Sequence, residues 1–309
     1  FCTMKKIYYL ACAALIAFCS ACGGDDEDPQ PQPVTPPSGS NPAPGGVNNE
    51  EPEDPEGITH DFDTKDPKLV FYDDFNQRSQ FPRKSRWELC PKGTPDWAFY
   101  LSNSYDQAFV DTDRGELVLS CEKSGNSYAT GGVQMRADKA FKYGKVEVKA
   151  KFARSARGGW PAIWMMPSEP IWSGWPQCGE IDIMERLNHD TYIYQVVHTH
   201  FTESYNAANP VTPNSNTVGI DTEDGWNIYG LVWTSESLEF YVNGVKTFTY
   251  PRLRQYEVVP GAKQWPFDTK FYLILNHAGG KGWPGEGSLN DAELPAEMRV
   301  DWVKVWKLE

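Results

Sequence analysis

The sequence predicts an all-β fold, a sandwich of two antiparallel sheets, on three observations. Lys145–Phe152 alternates charged and apolar residues without a break, the period of a strand with one wet face and one buried face. Asn243-Gly244 separates two strand-like runs, Leu238–Val242 and Val245–Tyr250, and is a strong two-residue hairpin signal. No apolar stretch keeps a helical period over three turns, while 26 Gly and 24 Pro supply the many turns that short antiparallel strands need.

In chain order, Met4-Lys5-Lys6 and the apolar run Ile7–Phe18 have the build of an export signal, too short for a mature membrane span. Cys19-Ser20-Ala21-Cys22 then resembles a bacterial lipobox, so residues 1–22 are expected to be a lipoprotein signal peptide with Cys22 as the lipidated residue. Residues 23–67 are acidic, rich in Pro and Gly and almost free of apolar side chains, the composition of a disordered linker. The catalytic or binding domain is expected over 68–309. Most of the net charge of -13 lies in the linker, so the acidity says little about a substrate and argues against a nucleic-acid partner. These features place the protein outside the cytoplasm, at the outer membrane or cell surface, held to the membrane by its lipid only and expected to be a monomer.

Within the domain, Glu116–Ser120 and Ile228–Thr234 are further short strands bounded by turn residues. Cys90, Cys121 and Cys178 are odd in number and unclustered, which fits neither a disulfide framework nor a zinc site and leaves room for at most one pair.

The chemistry concentrates in Gly179-Glu180-Ile181-Asp182-Ile183-Met184-Glu185. Glu180 and Asp182 share one face of a strand, whereas Glu185 falls on the opposite face of a regular one. A one-residue bulge near Ile183-Met184 re-aims it and lines three acids along one wall. Two carboxylic acids with separated pKa values are the apparatus of glycoside hydrolysis. The alternative for the acids alone is a solvated face of an amphipathic strand.

The surrounding residues decide between these. Gly158-Gly159-Trp160-Pro161-Ala162-Ile163-Trp164-Met165-Met166-Pro167 precedes the acids, and Phe271–Asn276 and Val300–Trp306 follow. Together they resemble glycoside hydrolase family 16 over roughly residues 68–309. That resemblance implies a β-jelly-roll with a concave substrate cleft and a retaining double displacement. It implies Glu180 as nucleophile, Asp182 as its partner and Glu185 as acid/base, with no cofactor for catalysis. It also implies a polysaccharide or glycan as partner, and allows a structural calcium ion with Asp74, the backbone of Gly115 and Asp301 as candidate ligands.

Sugar rings stack on aromatic planes, and the chain has 12 Trp, of which Trp160, Trp164, Trp172, Trp175 and Trp283 fall near the acids. Of the pair His198 and His200, His200 best matches the family's His beside the catalytic groups; a metal reading of the pair lacks a third ligand. Arg136 and Asn276 complete the candidates for sugar contact. Among substrates, β-1,3- or mixed-linkage β-1,3/1,4-glucan ranks first, because the tryptophan and acid blocks resemble laminarinase-type members. β-Galactosides of mucin-type glycans or other galactans rank second, because Arg186–Asp190 and Tyr194–Phe201 depart from the glucanase continuation. A surface protein that only binds glycans ranks third.

Overall fold

The computed structural model describes residues 66 and 68–308, apart from 209 and 222–224. The signal peptide, Cys22 and the acidic linker lie outside the described residues. Among those described, sixteen strands follow in order: β1 (Leu69–Asp73), β2 (Trp87–Leu89), β3 (Ala108–Asp111), β4 (Glu116–Ser124), β5 (Ser127–Thr130), β6 (Gly132–Met135), β7 (Gly144–Arg154), β8 (Gly159–Pro167), β9 (Glu180–Glu185), β10 (Tyr192–His198), β11 (Ser215–Gly219), β12 (Asn227–Trp233), β13 (Ser237–Val242), β14 (Val245–Pro251), β15 (Phe271–Gly279) and β16 (Ala296–Trp306). They form two antiparallel sheets, as expected. One has the central order β14-β13-β12-β7-β16-β4-β3, with β1 added on β16 and β5 on β4; the other runs β11-β10-β9-β8-β15-β6-β2.

The alternation in Lys145–Phe152 becomes β7, whose Val146, Val148, Ala150 and Phe152 are buried between the sheets. Tyr229, Leu231 and Trp233 of β12 join them from the same sheet. The second sheet answers with Ile163 and Met165 of β8, Ile181 and Ile183 of β9, and Leu273 and Leu275 of β15. Asn243 and Gly244 both have positive φ, at 50° and 78°, the geometry a two-residue hairpin between right-twisted strands requires. All three described cysteines are buried and unpaired.

A second, smaller cluster sits on the other face of the seven-stranded sheet. Cys90, Ala98 and Leu101, with Trp97, pack over Ala162, Trp164 and Ile274 there. Part of that face is therefore roofed by the segment leading out of β2, and the part over β9 and β10 carries the acids.

Candidate active site

β9 lies between β10 and β8, and its entry is fixed by Gly179. That residue has φ +87°, and a Cβ on it would stand 2.6 Å from Pro266 Cγ, so only glycine fits the turn. The strand then does what the acid spacing demands. Against β8, Met184 pairs with Ile163 and Asp182 with Trp164, which leaves Ile183 without a partner. Against β10, Glu185 pairs with Tyr194 and Asp182 with Val196, so Ile183 and Met184 together stand opposite Gln195. This is a β-bulge at the expected position. Ile183 and Met184 both enter the core, and Glu185 joins Glu180 and Asp182 on the other face.

Each acid has a distinct surrounding. Trp175 Nε1 donates to Glu180 Oε2 at 2.8 Å, and Trp160 Nε1 donates to Glu185 Oε1 at 2.9 Å. Asp182, between them, is 2% exposed, and His198 Nε2 lies 3.4 Å from its Oδ2. Burial pushes the Asp182 carboxyl well above the usual range, and the neighbouring charges of Glu180 and Glu185 push the same way. Burial also pushes Glu185 up to about 7, against the lowering pull of His198 and of the Trp160 hydrogen bond. Burial thus raises two of the three acids, Asp182 and Glu185, while Glu180 and Glu185 each accept from an indole N–H.

His198 ends β10 and turns its ring toward the acids. Its Nδ1 donates to Glu203 Oε1 at 2.8 Å. Burial works against charge on the ring, but the Glu203 hydrogen bond and the charges of Glu180, Glu203 and Glu185 overcome it and lift the imidazole to about 9. Glu180, Asp182 and His198 bring their polar atoms within 4.8 Å of one another. With a cationic ring as the third member, the set is built to hold protons in place.

The aromatic expectations divide. Trp160 meets Trp283 edge to face at 6.3 Å, and Trp283 meets Tyr194 at 4.5 Å, forming a wall that begins at the Glu185 carboxyl. Trp175 lies 5.6 Å from the His198 ring and forms a facing element over Glu180. Trp175 and Trp283 are 56% and 47% exposed, as surfaces that receive a sugar ring must be. Trp164 is on the same face but 5% exposed, packed edge-on against Trp97, with its Nε1 donating to Asn276 Oδ1 at 2.7 Å. Trp164 and Asn276 are thus floor residues beneath the roofing segment. The Asn276 side-chain amide N–H has no hydrogen-bond partner, and its Oδ1 is used by Trp164.

Three expectations are corrected. His200 does not face the acids: β10 stops at His198, and His200 already has helical φ and ψ as the residue before a π-helical turn, Phe201–Tyr205. The alternation that put both histidines on one side ends at the last strand residue, and His198 fills the role. Arg136 follows β6, and its Nε is paired with Asp138 at 3.0 Å on the surface. As for calcium, Gly115 adjoins Asn76, and the β1–β16 register carries Asp74 toward Asp301. The carboxylate of Asp301, however, is ion-paired with Lys149 at 2.7 Å, and Asp74 Oδ1 caps the Asn76 N–H at 3.2 Å. An ammonium already holds one of the two acids, so the set does not fit an oxygen cage for calcium.

Glu203 and Tyr194 are the site residues the sequence reading missed. Glu203 reaches His198 only because the π-helical turn folds it back, and no periodic signal announces such a turn. Tyr194 was legible as the strand partner of Glu185 once β10 had been paired with β9.

The Trp160 hydrogen bond gives a direct expectation. Because it lowers the Glu185 pKa, Trp160→Phe is expected to move the alkaline limb of kcat/KM upward, with a weaker apparent affinity from the disturbed Trp283 contact; a pH profile of the purified variant checks both.

Comparison with known proteins agrees with this geometry. The family model for glycosyl hydrolases family 16 matches residues 97–304. A keratan-sulfate endo-1,4-β-galactosidase from Sphingobacterium multivorum is 40% identical over 252 residues, covering 79% of this chain and 56% of that protein. The chain therefore spans little more than half the length of that relative. A solved structure from work on endo-acting O-glycanases with which human gut bacteria initiate mucin breakdown superposes with a TM-score of 0.65 at 32% identity, over 78% of this chain and all of that one. The laminarinase of Rhodothermus marinus superposes with a TM-score of 0.68 at 28% identity, over 78% and 98% of the two chains. With a bulged acidic strand on a two-sheet sandwich and a family match over most of its length, the chain belongs to the glycosyl hydrolases of family 16.

Proposed function

We propose that the protein is a retaining, endo-acting β-glycosidase whose first substrate class is β-galactoside-containing glycans, with β-1,3- or mixed-linkage glucan as the second reading. The observation that carries the chemistry is the bulge, which sets Glu180 and Glu185 on one face with unlike surroundings. Glu180 attacks the anomeric carbon as Glu185 gives its proton to the departing glycosidic oxygen, and the glycosidic bond breaks. Glu185, now a carboxylate, takes a proton from water, which attacks the glycosyl ester and restores Glu180 with retained configuration. Asp182, buried beside Glu180, is placed to hydrogen-bond the Glu180 carboxylate before its attack and after the ester is hydrolysed.

The galactoside reading, second on sequence alone, moves ahead because the galactosidase relative is 40% identical and an O-glycanase structure matches alongside the laminarinases. The departure at Arg186–Asp190 supports it only in part. Arg186 is buried under structural duty, donating to Asp190 O at 2.7 Å and Ser155 Oγ at 2.5 Å, and Asn188 accepts from Gly158 N–H. What reaches the acids is Tyr194, part of the Tyr194–Trp283–Trp160 wall. An axial hydroxyl at C4 of galactose leaves a continuous C–H face, which suits such a wall.

The test is product analysis on mucin O-glycans, keratan-type poly-N-acetyllactosamine, laminarin and mixed-linkage glucan. Oligosaccharides ending in galactose, from the first two only, are the expected result; gluco-oligosaccharides alone would transfer the function to the glucan reading. We further propose that the chain is exported and tethered through Cys22, which incorporation of labelled fatty acid, absent in Cys22→Ala, checks.

A further inference from the structure

A charged pair behind the acids has no place in the two-carboxylate reaction. Glu203 stands on the turn after β10, is not part of β9, and meets the acids through its hydrogen bond to His198 and through its charge, which also raises the Asp182 carboxyl. Its position is held firmly. Glu203 N–H donates to Thr199 O at 3.0 Å, and Thr202 exchanges hydrogen bonds with Thr199 at the start of the turn. Phe201 is fully buried against Tyr256 and stacks on Tyr205, which pins the far end. The Glu203 carboxylate is 15% exposed and the His198 ring 19%. The groups facing that ring are Glu180, Asp182 and Glu185 of β9, Glu203 of the turn and the uncharged indole of Trp175.

We propose that Glu203 is a positioning residue: by holding Nδ1 of His198 it fixes that ring beside Asp182, and so sets the surroundings in which Glu180 and Glu185 work. This rests on the hydrolase reading of the site given above. The chemistry explains why such a cation is useful. During glycosylation Glu180 loses its negative charge to an ester bond while Glu185 gains one on giving up its proton. The net charge in front of His198 is unchanged while its location moves along β9. A fixed cation beside both acids lowers the cost of that transfer, provided it does not lose its own proton. Burial alone would take that proton away; the Glu203 hydrogen bond, with the charges of Glu180, Glu203 and Glu185, keeps it.

The expected behaviour of Glu203→Gln follows. His198 loses its anionic partner and titrates at lower pH, by about one unit or more. The ring then keeps its proton over a narrower pH range and holds the Glu185 proton affinity down less as pH rises, so the alkaline limb of kcat/KM moves to higher pH while kcat falls by roughly tenfold or more.

The decisive measurement is the imidazole titration of His198 in the full chain by NMR, assigned among the five histidines with His198→Asn. It is run for wild type, Glu203→Gln and Glu203→Asp beside their pH–rate profiles. The proposal expects His198 to titrate near 9 in wild type, clearly lower in Glu203→Gln, and in between for Glu203→Asp, which keeps the charge and serves if the Gln variant does not fold. It also expects no further displacement of the limb when Glu203→Gln is added to His198→Asn. An unmoved His198 titration, or a limb shift that adds to that of His198→Asn, overturns it. If Glu180→Gln proves fully active, the hydrolase reading fails separately, and the titration still decides whether Glu203 governs His198.

Discussion

Glu180→Gln is expected to lower kcat by about a thousandfold or more, on the scale of removing a covalent nucleophile, while KM and the melting temperature stay near wild type. The reason is local. The carboxamide is almost isosteric, and its oxygen can still accept from Trp175 Nε1, so the contact seen at 2.8 Å survives. What it lacks is an oxygen able to form a glycosyl ester. Glu180 is half-exposed and lies outside the core, so folding does not depend on its charge. Azide added to the shorter Glu180→Ala variant should occupy the space vacated by the nucleophile and attack the same anomeric carbon, giving a glycosyl azide of inverted configuration. Recovery of rate with inversion identifies Glu180 as the nucleophile. A folded variant with near wild-type turnover would remove it from the mechanism.

The reach of sequence reasoning is visible in the same strand. The acids, their two-residue spacing and the need for a bulge are contained in Glu180–Glu185, because a strand has period 2 and three acids at spacings of two and three cannot share a face without an extra residue. The alternation of β7 and the turn at Asn243-Gly244 were legible for the same reason: local geometry dictates them. His200 was misplaced because period 2 holds only while the strand lasts, and nothing in His198-Thr199-His200 marks where it stops. Glu203 was invisible because it reaches His198 through a turn whose hydrogen bonds are made by Thr199 and Thr202. Trp164 and Asn276 were assigned to sugar contact, yet the segment around Trp97–Leu101 covers Trp164, and Asn276 is buried beneath it as its hydrogen-bond partner. Which part of an outer sheet face is roofed depends on the path of a loop, and that path is a tertiary outcome.

Glu185→Gln is the second large effect, and its signature differs from that of Glu180→Gln. The variant is expected to lose about a hundred- to ten-thousandfold on natural glycans, whose leaving alcohol needs a proton in the transition state. An activated aryl glycoside, whose leaving group departs as a stable anion, should be attacked by Glu180 nearly as fast as in wild type. Water then has no base to activate it, so the glycosyl ester accumulates as a burst observable by mass spectrometry. Azide needs no base, and its product here should retain configuration. Wild type should lose glycosylation activity as pH rises through about 7, where Glu185 gives up its proton, and the variant should show no such limb. The same residue links activity to stability. Its carboxyl titrates near 4.5 in an unfolded chain and near 7 when buried, so between those values the unfolded state binds fewer protons and the folded state loses stability as pH rises. Gln has no proton to lose. The melting temperatures of wild type and Glu185→Gln are therefore expected to agree near pH 4 and to separate above 7 with the variant higher, because the raised proton affinity that makes Glu185 an acid near neutrality is a cost carried by the fold.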